Sequence, residues 1–151
     1  MSAAAAIAAV QAWLAAPSYT ELPVLWERPQ AGFPTLGPSR QPAPWVLAEM
    51  PFGSGVTSPG RRGQRLRRKV GLLRAYVLTP RSMGADAGMP YADHLDAMID
   101  NAAVEAGEAG RYVQFGNSAI VTGRDLLRIA GPAADSFDVV LVQATFTYFH
   151  R

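Results

Sequence analysis

Residues 70–80 read VGLLRAYVLTP. Val70, Leu72, Tyr76 and Leu78 alternate with Gly71, Leu73, Ala75 and Val77, so apart from Arg74 both faces of this run are apolar. An extended segment of that kind is a strand covered on both sides. Pro80 ends it, because proline cannot donate to a central ladder. A second long strand is predicted near the C-terminus in SFDVVLVQATFTYFH, residues 136–150. There Val140, Val142, Ala144, Phe146 and Tyr148 form one apolar face, while Gln143, Thr145 and Thr147 mark the other as partly solvated.

Outward from these two, the order of elements is α-β-β-β-α-β-β. Ser2 is a suitable N-cap, and the alanines behind it favour a helix with Ile7, Val10, Trp13 and Leu14 on one face, stopped by Pro17. Short strands are predicted at 23–27 (PVLWE) and 45–50 (WVLAEM). Between them residues 29–44 are dense in proline, glycine and serine and read as an extended surface crossing. After the small-residue link RSMGADAGM, Pro90 opens a second helix with Tyr91, Leu95, Met98, Ile99 and Ala102 on one face. Gly107 or Gly110 is its expected stop. RYVQFGNSAIVT (111–122) alternates as a strand, and GRDLLRIAGPAAD (123–135) reads either as a helical turn or as a short strand bent at Gly131-Pro132. The sum is an α+β domain spanning 1–151, with a mixed or antiparallel sheet of about five strands and two helices packed on one side.

The chain has 151 residues, 14 basic against 12 acidic, and no cysteine. Disulfides and thiolate zinc sites are therefore excluded, and no histidine-rich metal centre is expected from two histidines. The alanine-rich start lacks a basic n-region, and its apolar stretch is too short to span a bilayer, so neither signal peptide nor membrane segment is predicted. The mild net charge hides a polarisation. Eight of the basic residues lie between Arg61 and Arg81, and no acid occurs between Glu49 and Asp86. The densest part, RRGQRLRRK at 61–69, falls in a predicted flexible basic loop over 52–69.

That loop admits a solvated surface, contact with nucleic-acid phosphates, or docking onto an acidic protein surface. A sequence-specific DNA reader needs an Arg-bearing recognition helix or a zinc module, and this run sits among glycines beside a strand. The aromatic end TFTYFHR reads as a strand burying Phe146 and Tyr148. A base-stacking platform would interleave aromatics and basics on one sheet face, and the basics stand elsewhere in the sequence.

Catalytic signatures are absent. There is no G-x-S-x-G elbow around Gly53-Ser54-Gly55, and GRRG at 60–63 opens no helix. His94 with Asp93 and Asp96 reads as a solvated helix face, since adjacent helical residues point in different directions. Trp13, Trp26 and Trp45 read as core and rim packing. No enzyme and no cofactor are expected.

Taken in order, these pieces resemble the tail-terminator (tail-completion) proteins of long-tailed bacteriophages and of gene transfer agents. The likeness lies in the N-terminal helix, PVLWERP, a proline-rich crossing into PWVLAEMPFGSG, and an Arg-bearing segment entering VGLLRAYVLTP. It continues through the helix YADHLDAMIDNA to the last strand DVVLVQATFTYFHR. The richness of the 29–44 crossing in proline and the length of GRDLLRIAGPAAD depart from the plan. The resemblance implies a structural virion protein, assembled in the bacterial cytoplasm, that closes into a hexameric ring on the tail tube. Its implied partners are further copies of itself, the tail tube protein, the head-tail connector or stopper protein, and DNA passing through the lumen without sequence-specific binding; no membrane is implied. Arg61, Arg62, Arg65, Arg67, Arg68 and Lys69 are the expected inter-subunit, tube or lumen contacts, with docking on protein ranked above lining of the lumen. The alternatives are another neck component, an adaptor or stopper, and a nucleic-acid-binding module built on the basic loop.

Overall fold

In the computed structural model the strand expected at 70–78 runs from Arg67 to Pro80 (β6) and pairs antiparallel with Phe137–His150 (β9). The ladder is unbroken from Arg67 opposite His150 to Pro80 opposite Phe137. The structure describes residues 2–15, 17–26, 34–36, 41–57, 67–106, 112–133 and 136–150. Beside β6 lies Trp45–Glu49 (β4), with Val24–Leu25 (β1) parallel to it at the edge. Phe52–Thr57 (β5) continues along the same side of β6 beyond β4. Beside β9 lies Tyr112–Val121 (β8), followed by Ala103–Glu105 (β7) at the opposite edge. The fold is α+β as expected, but the sheet has seven strands rather than about five.

Side-chain alternation along β6 and β9 sorts the core into two clusters. Leu73, Ala75 and Val77 of β6 join Val140, Val142, Ala144, Phe146 and Tyr148 of β9 under the helices Ala3–Trp13 (α1) and Met89–Ile99 (α2). Helix α1 starts where Ser2 Oγ accepts the Ala5 N–H at 3.1 Å, and it buries Ala6 and Val10; α2 buries Ala92, Leu95 and Ile99. Both helices thus lie on one side of the sheet, as expected. On the other side Tyr76, Leu78, Phe137, Val139 and Leu141 meet Leu126, Leu127, Ile129 and Ala130. Those four belong to Arg124–Ala133, a 3-10 segment broken at Gly131, whose φ of 59° is the left-handed bend that Gly131-Pro132 suggested.

Three expectations are corrected. The 29–44 crossing contains a small separate ladder, Thr35–Leu36 (β2) with Gln41–Pro42 (β3); residues 29–33 and 37–40 lie outside the described residues. Helix α2 ends at Ile99, not at Gly107 or Gly110. Asn101 takes φ 53° and its N–H bonds to the Gly116 carbonyl, while the Asp100 carboxylate accepts the Ser118 N–H at 2.9 Å. These bonds turn the chain into β7 early. Finally, 52–69 is not one loop. β5 and the start of β6 pair there, Thr57 opposite Arg67 and Val56 opposite Arg68. Glycine and serine are poor strand formers alone, but β6, already ordered on its other side by β9, offers a template that overrides propensity.

Across this ladder Gly71 faces Phe146, a fully buried ring that also meets Phe115 edge-on at 5.8 Å and Tyr148 at 6.4 Å. A Cβ at Gly71 would stand within 2.8 Å of both Phe146 Cε atoms. We expect Gly71→Ala to cost about 1–3 kcal/mol by overpacking, and Phe146→Leu in the same chain to recover part of it. Chemical denaturation of the double-mutant cycle measures this; additive losses would contradict the contact.

Tyr19, just after α1, is 3% exposed, and its hydroxyl has no hydrogen-bond partner among the described residues. Burial, with lesser contributions from Glu21 and Tyr91, pushes its pKa up to about 12. The folded chain therefore holds a proton that the unfolded chain releases near pH 10. The associated stability is complete below pH 10 and is lost as pH rises towards 12. Burial also raises Tyr76 and Tyr148, adding to the same loss. Tyr19→Phe should be neutral to about 1 kcal/mol stabilising at pH 7 and should flatten part of the decline above pH 10 in pH-dependent denaturation.

Candidate functional site

The sequence singled out six basic residues. Arg61, Arg62 and Arg65 lie outside the described residues. Arg67 is the first residue of β6, opposite His150; Arg68 is exposed and Lys69 half-buried. The parity of β6 turns Arg68 to the side of Tyr76 and Leu78, away from the helices.

Among the described residues, that side of the sheet is covered over only half its length. The 3-10 segment packs on the end that carries Leu78, Phe137 and Val139. Towards the other end the same face shows Val70, Leu72 and Thr147 half-exposed and Thr145 and Phe149 exposed. Phe149 stands directly opposite Arg68. On β8, Gln114 pairs with Thr147, which brings Tyr112 alongside Phe149. By strand parity Arg68, Phe149 and Tyr112 thus share one face, the two aromatics 50% and 48% exposed, and exposed Glu105 of β7 stands opposite Tyr112 on that same face. Further along the face, the Arg74 guanidinium lies 3.2 Å from Glu49, which also accepts a hydrogen bond from the Tyr76 hydroxyl at 3.1 Å.

Phe146 and Tyr148 are buried as expected, and on the opposite face a single basic residue, Arg68, stands beside Phe149, an exposed ring that the sequence reading did not single out. The missing information was the β6–β9–β8 register. A hint lay in the shared parity of Arg68, Val70, Leu72 and Arg74, but only pairing assigns Phe149 and Tyr112 to the same side.

A second surface lies at the β7 edge. Ala5, Ala8, Ala9, Ala12 and Trp13 of α1 face Ala103, Val104, Glu105 and Ala106 across a groove of about 600 Å³. Alanines leave this groove open because they carry nothing beyond Cβ. The Ala102 carbonyl accepts from the Phe115 N–H, so by antiparallel alternation the backbones of Ala103 and Glu105 point outward, with no strand beyond them among the described residues.

His94 and its acidic neighbours do not converge. His94 Nδ1 is 3.4 Å from Glu21, Asp93 is exposed, and Asp96 accepts from Ser118 Oγ at 2.6 Å, tying α2 to β8. Among the described residues no group of three His, Asp or Glu is arranged to hold a metal. None of the described helices is long and apolar enough to cross a membrane. Trp45 is buried, Trp13 stacks on Phe115 at 5.6 Å, and Trp26 packs partly buried against the core, as expected of packing residues.

No protein-family model matches the chain. No curated protein matches it either. Among solved structures, one chain whose name describes no activity superposes with a TM-score of 0.53, at 19% identity, over 98% of this chain and 96% of its own. At that identity the likeness concerns the fold alone, and it extends from end to end.

Proposed function

We propose that this protein is a tail terminator: a non-enzymatic virion subunit that closes into a ring, of six copies in the pattern the resemblance implies, ends tube growth, and offers the head-tail connector its docking surface. The observation that carries this reading is a sheet whose two edges, among the described residues, are unpaired and unlike, β7 at one and β1 with β5 at the other. Unlike edges on one subunit favour heterologous, head-to-tail contacts, and such contacts close into rings when the rotation per subunit allows. The α1–β7 groove suits addition of an extended segment from a neighbour, with backbone hydrogen bonds to Ala103 and Glu105 and small side chains against the alanines. The polarised charge supports the same reading, because a basic strip can meet the acidic remainder of the next copy or the tail tube. DNA would then pass through the lumen without base readout.

The test is electron microscopy of particles assembled with and without the gene, and with Glu105→Pro, which removes an outward N–H at the β7 edge while sparing the Val104–Val113 pair. We expect overlong, headless tubes without the protein, normal tails on its return, and failure of Glu105→Pro to restore them. Tails of normal length that merely lack heads would identify an adaptor or stopper instead and overturn the terminator reading.

A further inference from the structure

Strand register sets four exposed positions in line across the open end of the sheet. Arg68 pairs with Phe149, Phe149 adjoins Tyr112, and Tyr112 pairs with Glu105. The line therefore runs cation, ring, ring, anion over β6, β9, β8 and β7. In the same register the next line on this face is Val70, Thr147, Gln114 and Ala103. Two half-exposed rings leave apolar area in water, and burying it is favourable. Glu105 offsets Arg68, so the line has no net charge to attract a polyanion. Its charges stand at the two ends, around a centre that carries none. That is the anatomy of a protein interface: an aromatic, charge-depleted core inside a polar rim.

We propose that this face binds a second copy of the same chain, sheet against sheet, about a two-fold axis parallel to the strands and midway between Phe149 and Tyr112. The order of charges selects both the occupant and the axis. Such an axis reverses the line, so Arg68 of each copy meets Glu105 of the other, and each Phe149 meets a Tyr112. An isologous contact needs this self-complementarity. In the next line Val70 meets small Ala103, and the Thr147 hydroxyl meets the Gln114 amide, so no charge is buried unpaired. A two-fold axis along the line instead of across it would set Arg68 on Arg68 and Glu105 on Glu105, and repulsion disfavours it. The selected axis keeps the strands of the two copies nearly aligned, as in packed β-sandwiches. The face is small for an obligate dimer, so the pairing is weak and concentration-dependent. It uses side chains of the open face, not the backbone edge of β7, and does not rest on ring closure.

The test is sedimentation equilibrium of the purified full chain over a micromolar to millimolar concentration series. We expect a monomer–dimer equilibrium. Phe149→Ala and Tyr112→Ala should each weaken it at least about 10-fold, because central aromatics carry most of an interface's energy. Arg68→Glu and Glu105→Arg each set like charges face to face twice per dimer and should each weaken it roughly 10-fold. The decisive variant combines Arg68→Glu with Glu105→Arg, which should return the affinity to within about 3-fold of the parent. Within one chain the two positions are three strand spacings apart, about 14 Å, beyond the screening length at physiological salt. Recovery therefore reports a contact between copies. All four positions are exposed, and thermal melting checks that each variant folds. A chain that stays monomeric throughout the series overturns the proposal and leaves the face to a different partner. Dimers indifferent to Phe149→Ala and Tyr112→Ala overturn it too, since they form elsewhere on the molecule. If the aromatic variants weaken dimers but the charge swap does not recover them, the two-fold arrangement is wrong and the proposal fails.

Discussion

The antiparallel ladder between Arg67–Pro80 and Phe137–His150 is the constraint on which the other elements depend. Two strands locked over this length fix the destination of every side chain they carry, because a one-residue slip would transfer each to the opposite face. In the observed register Gly71 sits under the Phe146 ring, Ala75 meets Val142, and Leu73 meets Ala144. Large and small residues alternate across the ladder, which lets the helices approach. A slipped register would place Thr145 and Thr147 beneath the helices and expose Phe146. The hydrophobic pattern therefore selects one pairing, and β4, β5 and β8 take their positions from it.

This explains why much of the fold could be read from the chain and why some could not. Both long strands, both helices and their common side followed from local periodicity and from the cap at Ser2. Three features escaped. β5 consists largely of glycine, serine and threonine, residues that pair only because β6 is already in place. β7 has three residues, too few for any period, and exists because Asn101 and Asp100 end α2 early. The aromatic row is invisible for a third reason: Arg68, Phe149 and Tyr112 come from distant parts of the sequence, and only strand order brings them together. The sequence reading left Arg67, Arg68 and Lys69 in a basic loop with only a charge argument, and it is their place in β6 that gives them a face.

The molecule divides its surface by chemistry. Among the described residues, helices cover one face of the sheet and a 3-10 segment covers half of the other, leaving a groove at the β7 edge and an open patch at the far end of β6 and β9. The groove is lined with alanines and outward backbone groups, suited to a strand of protein. The patch sets Arg68 beside two half-exposed aromatic rings, with Glu105 at its far end.

The shared face at the far end of β6 and β9 exists only if their ladder persists to that end. Native-state amide hydrogen exchange read residue by residue measures this directly. The account predicts that amides bonded across β6 and β9 near Val70 and Thr147 exchange with protection approaching that of Val77 and Val140 in the middle of the sheet. If the residues from Arg67 to Gly71 and from Phe146 to Phe149 exchange as fast as a solvated loop while the remainder stays protected, the shared face does not exist in solution and the account is contradicted.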